Sequence, residues 1–451
     1  MQKVLFFDYR ELEVVRGFTR RLQHPAKCRA NPLLVADRPW EHGNLQLYGS
    51  VVKVPHGPFQ LWYSTVQAPW CIRLGYAESE DGLTWERPRL DLYREGGRRT
   101  NLVLTQDVHG AAVILDQADP DPAGRYKLVA GAAPSGCVKL FRSPDGRAWR
   151  ELTRDPQIPF RPDSPMAFLR TADGRYATHH RVARWSRRIC RSESFDLRHW
   201  SEPRMVLEPG PVDPPQVQFY GMGAAPYGPY EIGTLWIFHT DEEEMGGGHM
   251  KGYQDAELTY SRNGFAWHRL EPGTPFLPHG RGGAWDRGNL QCASQPVFLA
   301  DEIRYYYMGT DMRHQRHWEL EPQTSGLGMA RLKPDRFLAL EAGRGPAELM
   351  TVAFTPEGGQ VFVNAAIAKG GWVKAELLDD QGGPLRGYRE TDGAPVTGDS
   401  VAHRLRWRKA ETAPTGQRVR VRLRARQAKV YSLYLAPPGE EMVYHRFKGI
   451  A

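Results

Sequence analysis

The sequence predicts an all-β protein, a five-bladed β-propeller followed by a C-terminal β-sandwich. Three observations point there. A turn motif, Ser-x-Asp-Gly-x-x-Trp, returns at intervals that suit one propeller blade each. Aromatic residues make up 11% of the chain, and 46 Gly and 35 Pro are spread through it without a period, a composition of many strands and many turns. Beyond Pro334 the motif stops and short alternating strands take over.

Taken in order, residues 1–38 carry no copy of the motif and are expected to form an arm. The copies then run Ser79–Trp85, Ser143–Trp149, the drifted Ser194–Trp200, and Ser261–Trp267, with a weak fifth at Lys333–Phe337. Their final aromatic residues are spaced 64, 51, 67 and 70 positions apart, room for about four strands per repeat. Before a copy stands a strand pair such as Phe59–Ser64 and Ile72–Ser79. Asp-Gly supplies the turn because both residues tolerate positive φ, and the Trp can fold back to seal it. Residues 39–338 are therefore expected to be the propeller. Their periodic Asp81, Asp145, Asp196 and Asn263 read as turn residues rather than catalytic groups, since one copy carries Asn. Residues 339–451, with strands Leu349–Phe354, Gln360–Ala365, Val373–Leu378 and Val430–Leu435 between Gly/Asp/Pro turns, are expected to form the sandwich.

Charge and motifs narrow the function. The net charge of +8 raises nucleic acid as a partner. Much of the excess lies between Arg404 and Lys429, and in its second run, Arg418–Arg426, Arg alternates with apolar residues, which reads as a half-buried strand with a solvated face. Nucleic acid is therefore not an expected partner, and neither is a membrane, because no apolar run approaches the ~18 residues of a span. Five widely separated cysteines, Cys28, Cys71, Cys137, Cys190 and Cys292, form no CxxC pair, and the N-terminus lacks a signal peptide, so a cytoplasmic location is expected. P-loop, GxSxG, HExxH and EF-hand patterns are absent from the sequence. No metal ligands and no cofactor are expected, although a propeller centre can hold one structural calcium.

The segments Phe6–Arg10, Thr19–Lys27, Asn31–Glu41 and Gly75–Trp85, with Leu340–Gly343 and Val361–Gly371, resemble uncharacterised bacterial proteins similar to the N-terminal domain of glycoside hydrolase family 32. The likeness runs through nearly the whole chain. It implies a five-bladed propeller of the kind found in families 32, 43, 62 and 68, with three carboxylates around a central funnel, each at the start of a different blade's innermost strand. The family 32 motifs Trp-Met-Asn-Asp-Pro-Asn-Gly, Arg-Asp-Pro and Glu-Cys do not stand in this sequence.

Candidate site residues therefore follow from position, as the residues just before each blade's first strand. Blade 1 offers Glu41 with Trp40 as a sugar platform. Blade 2 offers His109, with Asp107 a weaker alternative, and blade 3 offers Asp163, with Arg181 as a binding group. Asp213 or Tyr220 serves blade 4, and blade 5 gives Asp286 beside Trp285, with Asp311 and His314 downstream. Asp241–Glu244 reads as a solvated loop or a lid, and Asp255 as structural. Glu41, Asp163 and Asp286 are the expected catalytic set. One carboxyl would protonate the leaving oxygen while another attacks or activates water. The expected function is a glycosidase, a furanoside being one candidate bond, and the alternative is a carbohydrate-binding propeller without turnover.

Overall fold

In the computed structural model the chain is all-β. The structure describes all residues except 68–70, 107, 133–136, 153–162, 182–186, 242–250, 315–324, 409, 441–443 and 451, and the side chains of 67, 132, 137 and 163–165 are likewise outside the description. Every regular element among the described residues is a strand or a short 3-10 turn.

Three four-stranded antiparallel sheets follow one another along the chain. The first holds Leu45–Lys53, Phe59–Gln67, Cys71–Ser79 and Leu102–Leu104. The second holds His109–Leu115, Tyr126–Ala132, Cys137–Ser143 and Arg150–Glu151, and the third Asp163–Arg170, Tyr176–Arg181, Ile189–Ser194 and Arg204–Leu207. A ten-stranded sheet comes next. One half, called the fourth sheet below, is built from Val217–Tyr227, Tyr230–Thr240, Gly252–Ser261 and Trp267–Arg269. The other half, the fifth sheet, is built from Asn289–Cys292, Val297–Phe298, Ile303–Thr310 and Ser325–Leu332. A single parallel pairing of Gln254 with Asn289 joins the halves.

The repeated turns follow the third strand of their sheets, and their chemistry explains their spacing. Ser79 Oγ accepts from Gly82 N at 2.8 Å, while Asp81 Oδ1 accepts from the N–H groups of Leu83 and Thr84 at 2.7 and 2.8 Å. The same contacts recur at Ser143/Asp145, Ser194/Asp196 and Ser261/Asn263. The fourth motif residue adopts left-handed φ, +72° at Gly82 and +65° at Leu197. Glycine suits the position twice over, because each turn docks on a neighbouring sheet. Tyr306 Oη donates to Gly82 O at 2.8 Å, and a Cβ at Gly82 would lie 2.4 Å from that oxygen. Likewise Trp62 Nε1 donates to Gly146 O at 2.7 Å.

Residues 1–38 are strands of two sheets. Ala26–Lys27 and Leu34–Val35 form the outer edge of the fifth sheet against Ser325–Leu332. Gln2–Leu5, Leu12–Arg16 and Phe18–Leu22 belong to a C-terminal eight-stranded sheet with Leu338–Ala342, Ala347–Thr351, Gln360–Asp379, Asp399–Leu405 and Val419–Ala436. Alternation along Val419–Ala436 buries Val419, Val421, Leu423 and Ala425. The intervening arginines face acids: Arg420 pairs with Glu13, Arg422 with Glu376, and Arg424 with Glu348 and Glu390. That basic face is thus largely neutralised within the chain.

Candidate functional site

The innermost strands of the sheets meet at one level. Ser50 Oγ lies 2.6 Å from Ser294 Oγ and accepts from Val113 N at 2.7 Å, and Ser294 O accepts from Ala224 N at 2.8 Å. Towards the starts of these strands the packing turns aromatic. Tyr48, Met166, Tyr220, Leu290 and Cys292 share one buried cluster with Trp236 and Phe238. The His109 ring sits 5.5 Å from Tyr48. Residues from the first strand of each of the five sheets therefore come together at this end.

The candidate carboxylates differ in how their oxygens are used. Glu41 closes the 3-10 turn Pro39–Glu41 and is wholly buried. Its Oε2 accepts from the N–H groups of Asp37 and Arg38, both at 3.0 Å, and its Oε1 accepts from Tyr63 Oη at 2.6 Å with Arg87 Nε at 3.3 Å. Burial pushes its carboxyl pKa up, against the opposing pull of Arg87. Trp40 Nε1 donates to Asn101 Oδ1 at 2.6 Å beneath the same turn. Asp213 is also saturated, with Arg269 on Oδ1 at 2.5 Å and Gly210 N on Oδ2 at 2.9 Å.

Asp286 is held differently. Both Lys27 Nζ, at 2.5 Å, and Tyr307 Oη, at 2.9 Å, bond to Oδ2, and no hydrogen bond from the described residues falls on Oδ1. Asn31 Nδ2 donates to the same Tyr307 hydroxyl at 3.1 Å, and burial drives that phenol's pKa far up. Trp285 stacks on the Tyr307 ring with centroids 5.9 Å apart. Gly280 gives Oδ1 its room, because a Cβ there would lie 2.1 Å from it.

Around Tyr220 lies a cationic aromatic group. Its hydroxyl is 2.8 Å from His314 Nε2, and the guanidinium carbons of Arg181 and Arg187 lie 4.3 and 4.8 Å from its ring centroid. Arg187 donates to Gln218 Oε1 at 2.7 Å. Asp163 opens the innermost strand of the third sheet, with Arg181 as its register partner, while the Asp163 side chain lies outside the described residues. Asp311 O accepts from Arg287 Nε at 3.4 Å. Asp241 is exposed and paired with Arg313, whereas Glu242–Glu244 and Asp107 fall outside the described residues.

Sequence reading passed over several groups here. Lys27 and Tyr307 lie far from Asp286 along the chain, and Lys27 carries no local signal. Asp255, read as structural, meets His239 Nε2 through Oδ2 at 3.0 Å, while its buried Oδ1 has no partner among the described residues. His239 stacks on Tyr253 at 4.4 Å. Among the described residues no group of three or more His, Cys, Asp and Glu side chains is gathered to hold a metal ion.

No family model matches the chain. No curated protein matches it either. Similar solved structures include an N-acetylgalactosamine deacetylase from F. plautii in complex with blood group B trisaccharide (TM-score 0.47, 14% identity, 72% of this chain and 96% of that one). A glycosyl hydrolase from Bacteroides ovatus has TM-score 0.47 and 13% identity over 71% of this chain and 96% of that one. An α-L-arabinofuranosidase from Podospora anserina in complex with cellotriose has TM-score 0.44 and 12% identity over 72% of this chain and 99% of that one. Likeness at this level transfers no residue role to the site.

Proposed function

We propose that this chain is a glycosidase, with residues 39–338 as a five-bladed propeller, residues 339–451 as a β-sandwich, and the reaction at the mouth of the propeller axis. The observation that carries the reading is the one-sided anchoring of Asp286. Lys27 and Tyr307 fix the carboxylate through Oδ2, Oδ1 packs closely against Gly280 without a hydrogen bond from the described residues, and the Trp285 ring stacks on Tyr307 beside it. A carboxylate held by one oxygen and presented by the other can attack a sugar or activate water.

Asp163 is our second carboxylate, because it starts the first strand of the third sheet opposite Arg181. Its separation from Asp286 would set the outcome: about 5 Å gives retention, and roughly 6.5–9.5 Å leaves room for water and inversion. Glu41 has both oxygens committed to the fold, and we assign it to holding the 37–41 turn. His109, Arg181, Tyr220 and His314 would line the subsite next to the scissile bond, which we take to be a furanoside. The chemistry needs no cofactor.

One specific observation favours a second reading, a carbohydrate-binding propeller without turnover. Glu41, Asp213 and Asp286 all stand in ion pairs, with Arg87, Arg269 and Lys27. Hydrolysis of a panel of aryl glycosides and glycans by the wild type, Asp286→Asn and Asp163→Asn decides between them. Turnover lost in the variants at unchanged stability supports the glycosidase. Sugar binding by calorimetry with no turnover on any member selects the binder.

A further inference from the structure

We infer that the amides of Gln254, Asn289 and Gln291 form a subsite that reads adjacent hydroxyls of a neutral sugar, an inference that rests on the carbohydrate reading above. The three residues meet at the seam between the fourth and fifth sheets. Gln254 lies near the start of Gly252–Ser261, Asn289 is its parallel neighbour, and Gln291 lies two residues on, on the same side of its strand as Asn289. Asp286, the anchored carboxylate, stands three positions before Asn289.

Their hydrogen bonding is half complete. Gln291 Nε2 donates to Gln254 Oε1 at 3.1 Å, and Asn289 Nδ2 donates to Met312 O at 2.7 Å. Gln254 Nε2, Asn289 Oδ1 and Gln291 Oε1 find no partner among the described residues, although the three side chains are only 0%, 2% and 3% exposed. A buried amide atom without a partner is costly, and native folds rarely leave one unmatched. Here one donor and two acceptors stand together in a single seam.

That set selects its ligand by chemistry. A carboxylate or phosphate would bring acceptors against Asn289 Oδ1 and Gln291 Oε1, and an ammonium would leave the Gln254 donor unmatched. Two neighbouring hydroxyls supply one O–H donor to each of the two amide oxygens and offer lone pairs to the Gln254 amide. The amides carry no charge, so the preferred sugar is neutral.

The test pairs stability with binding in the full chain. Substituting Gln254→Leu and Gln291→Leu together removes both members of the amide pair, a change that can be neutral or stabilising when the pair is poorly satisfied. The expected result is an unchanged or higher Tm in the double variant, with calorimetric affinity for arabinose or mannose weakened at least about tenfold. For the wild type, 2-deoxyribose, which lacks one hydroxyl, should bind at least about tenfold more weakly than arabinose. Should the double variant fail to fold, wild-type amide hydrogen exchange supplies the reading, as sugar should slow exchange across 252–256 and 289–292. Sugar affinity retained in the variant, or slowing confined to other strands, overturns the subsite and leaves the carbohydrate reading intact. A wild type that binds none of these sugars overturns both.

Discussion

Lys27 and Asp286 are 259 residues apart in sequence and 2.5 Å apart in space, Nζ to Oδ2. One stands on the short outer strand contributed by the N-terminal segment, and the other just precedes the innermost strand of the same sheet. Closing that sheet with N-terminal residues therefore also delivers the cation that anchors the carboxylate. Replacing Asp286 with Asn should lower hydrolysis by roughly 10²–10⁴-fold, as expected for a lost acid–base or nucleophilic group. Lys27→Met should lower kcat while leaving KM within about threefold, since it frees the carboxylate without touching the Trp285 platform. Steady-state kinetics on any cleaved substrate checks both. Equal rates in wild type and Asp286→Asn would remove Asp286 from the reaction.

Gly280 gives a sharper probe of the same carboxylate. An added Cβ would lie 2.1 Å from Asp286 Oδ1 and 2.4 Å from Ala284 Cβ, so both contacts must open. Displacement of a reacting group by about 1 Å costs on the order of 100-fold in rate. Gly280→Ala should show such a fall with a small change in Tm, whereas Gly283→Ala, whose Cβ would meet nothing within 4 Å, should stay near wild type. Similar rates for the two variants would separate Oδ1 from the chemistry.

What the sequence made legible was local. The Ser-x-Asp-Gly-x-x-Trp turns could be read because each is closed by hydrogen bonds within six residues, as at Ser79–Thr84. Alternation in Arg418–Arg426 likewise announced its buried and charged faces. Contacts between distant segments left no such trace. Nothing near Ala26 and Lys27 marks them as partners of Ala330 and Arg331. Reading positions before the first strand of each sheet singled out Glu41 and Asp286 alike, and could not tell a carboxylate with two occupied oxygens from one with a single anchored oxygen. That distinction depends on Tyr63, Arg87, Lys27 and Tyr307, which only the packed fold brings near.

The C-terminal sheet, the fourth sheet and the segment 333–337 meet at one buried ion pair. Lys3 Nζ lies 2.8 Å from Asp335 Oδ2 with both side chains fully buried, and Tyr227 Oη and Ser432 Oγ donate to the same carboxylate at 2.6 and 2.8 Å. Burial draws the Lys3 pKa down, with Asp335 opposing. Asp335 sits at φ +63°, which Asn tolerates. Asp335→Asn should therefore keep the backbone, strand the buried ammonium and cost about 3–5 kcal/mol. Adding Lys3→Met should restore much of that loss, because the stranded charge is then gone. Urea unfolding of the two variants checks it, and a double variant no more stable than Asp335→Asn would deny the pair its special role.

Acid should unfold the protein partly through two adjacent histidines on Tyr176–Arg181. His179 and His180 are both buried, and burial holds the pKa of His180 down at about 4 and that of His179 well below its ordinary value. Arg191 Nη1, 3.4 Å from His179 Nε2, opposes a further charge there. The unfolded chain titrates near pH 6.5, so between pH 6.5 and about 4 it binds protons that the folded chain refuses. Stability from this source is complete above about pH 6.5 and is lost as pH falls towards 4. For His180 alone the loss is on the order of 3 kcal/mol. His180→Leu should accordingly gain stability relative to wild type between pH 7.5 and pH 4.5, because the variant has no proton to refuse at that position. Urea midpoints for the pair at several pH values give the difference directly, and parallel pH profiles would show that His180 is not part of the acid transition.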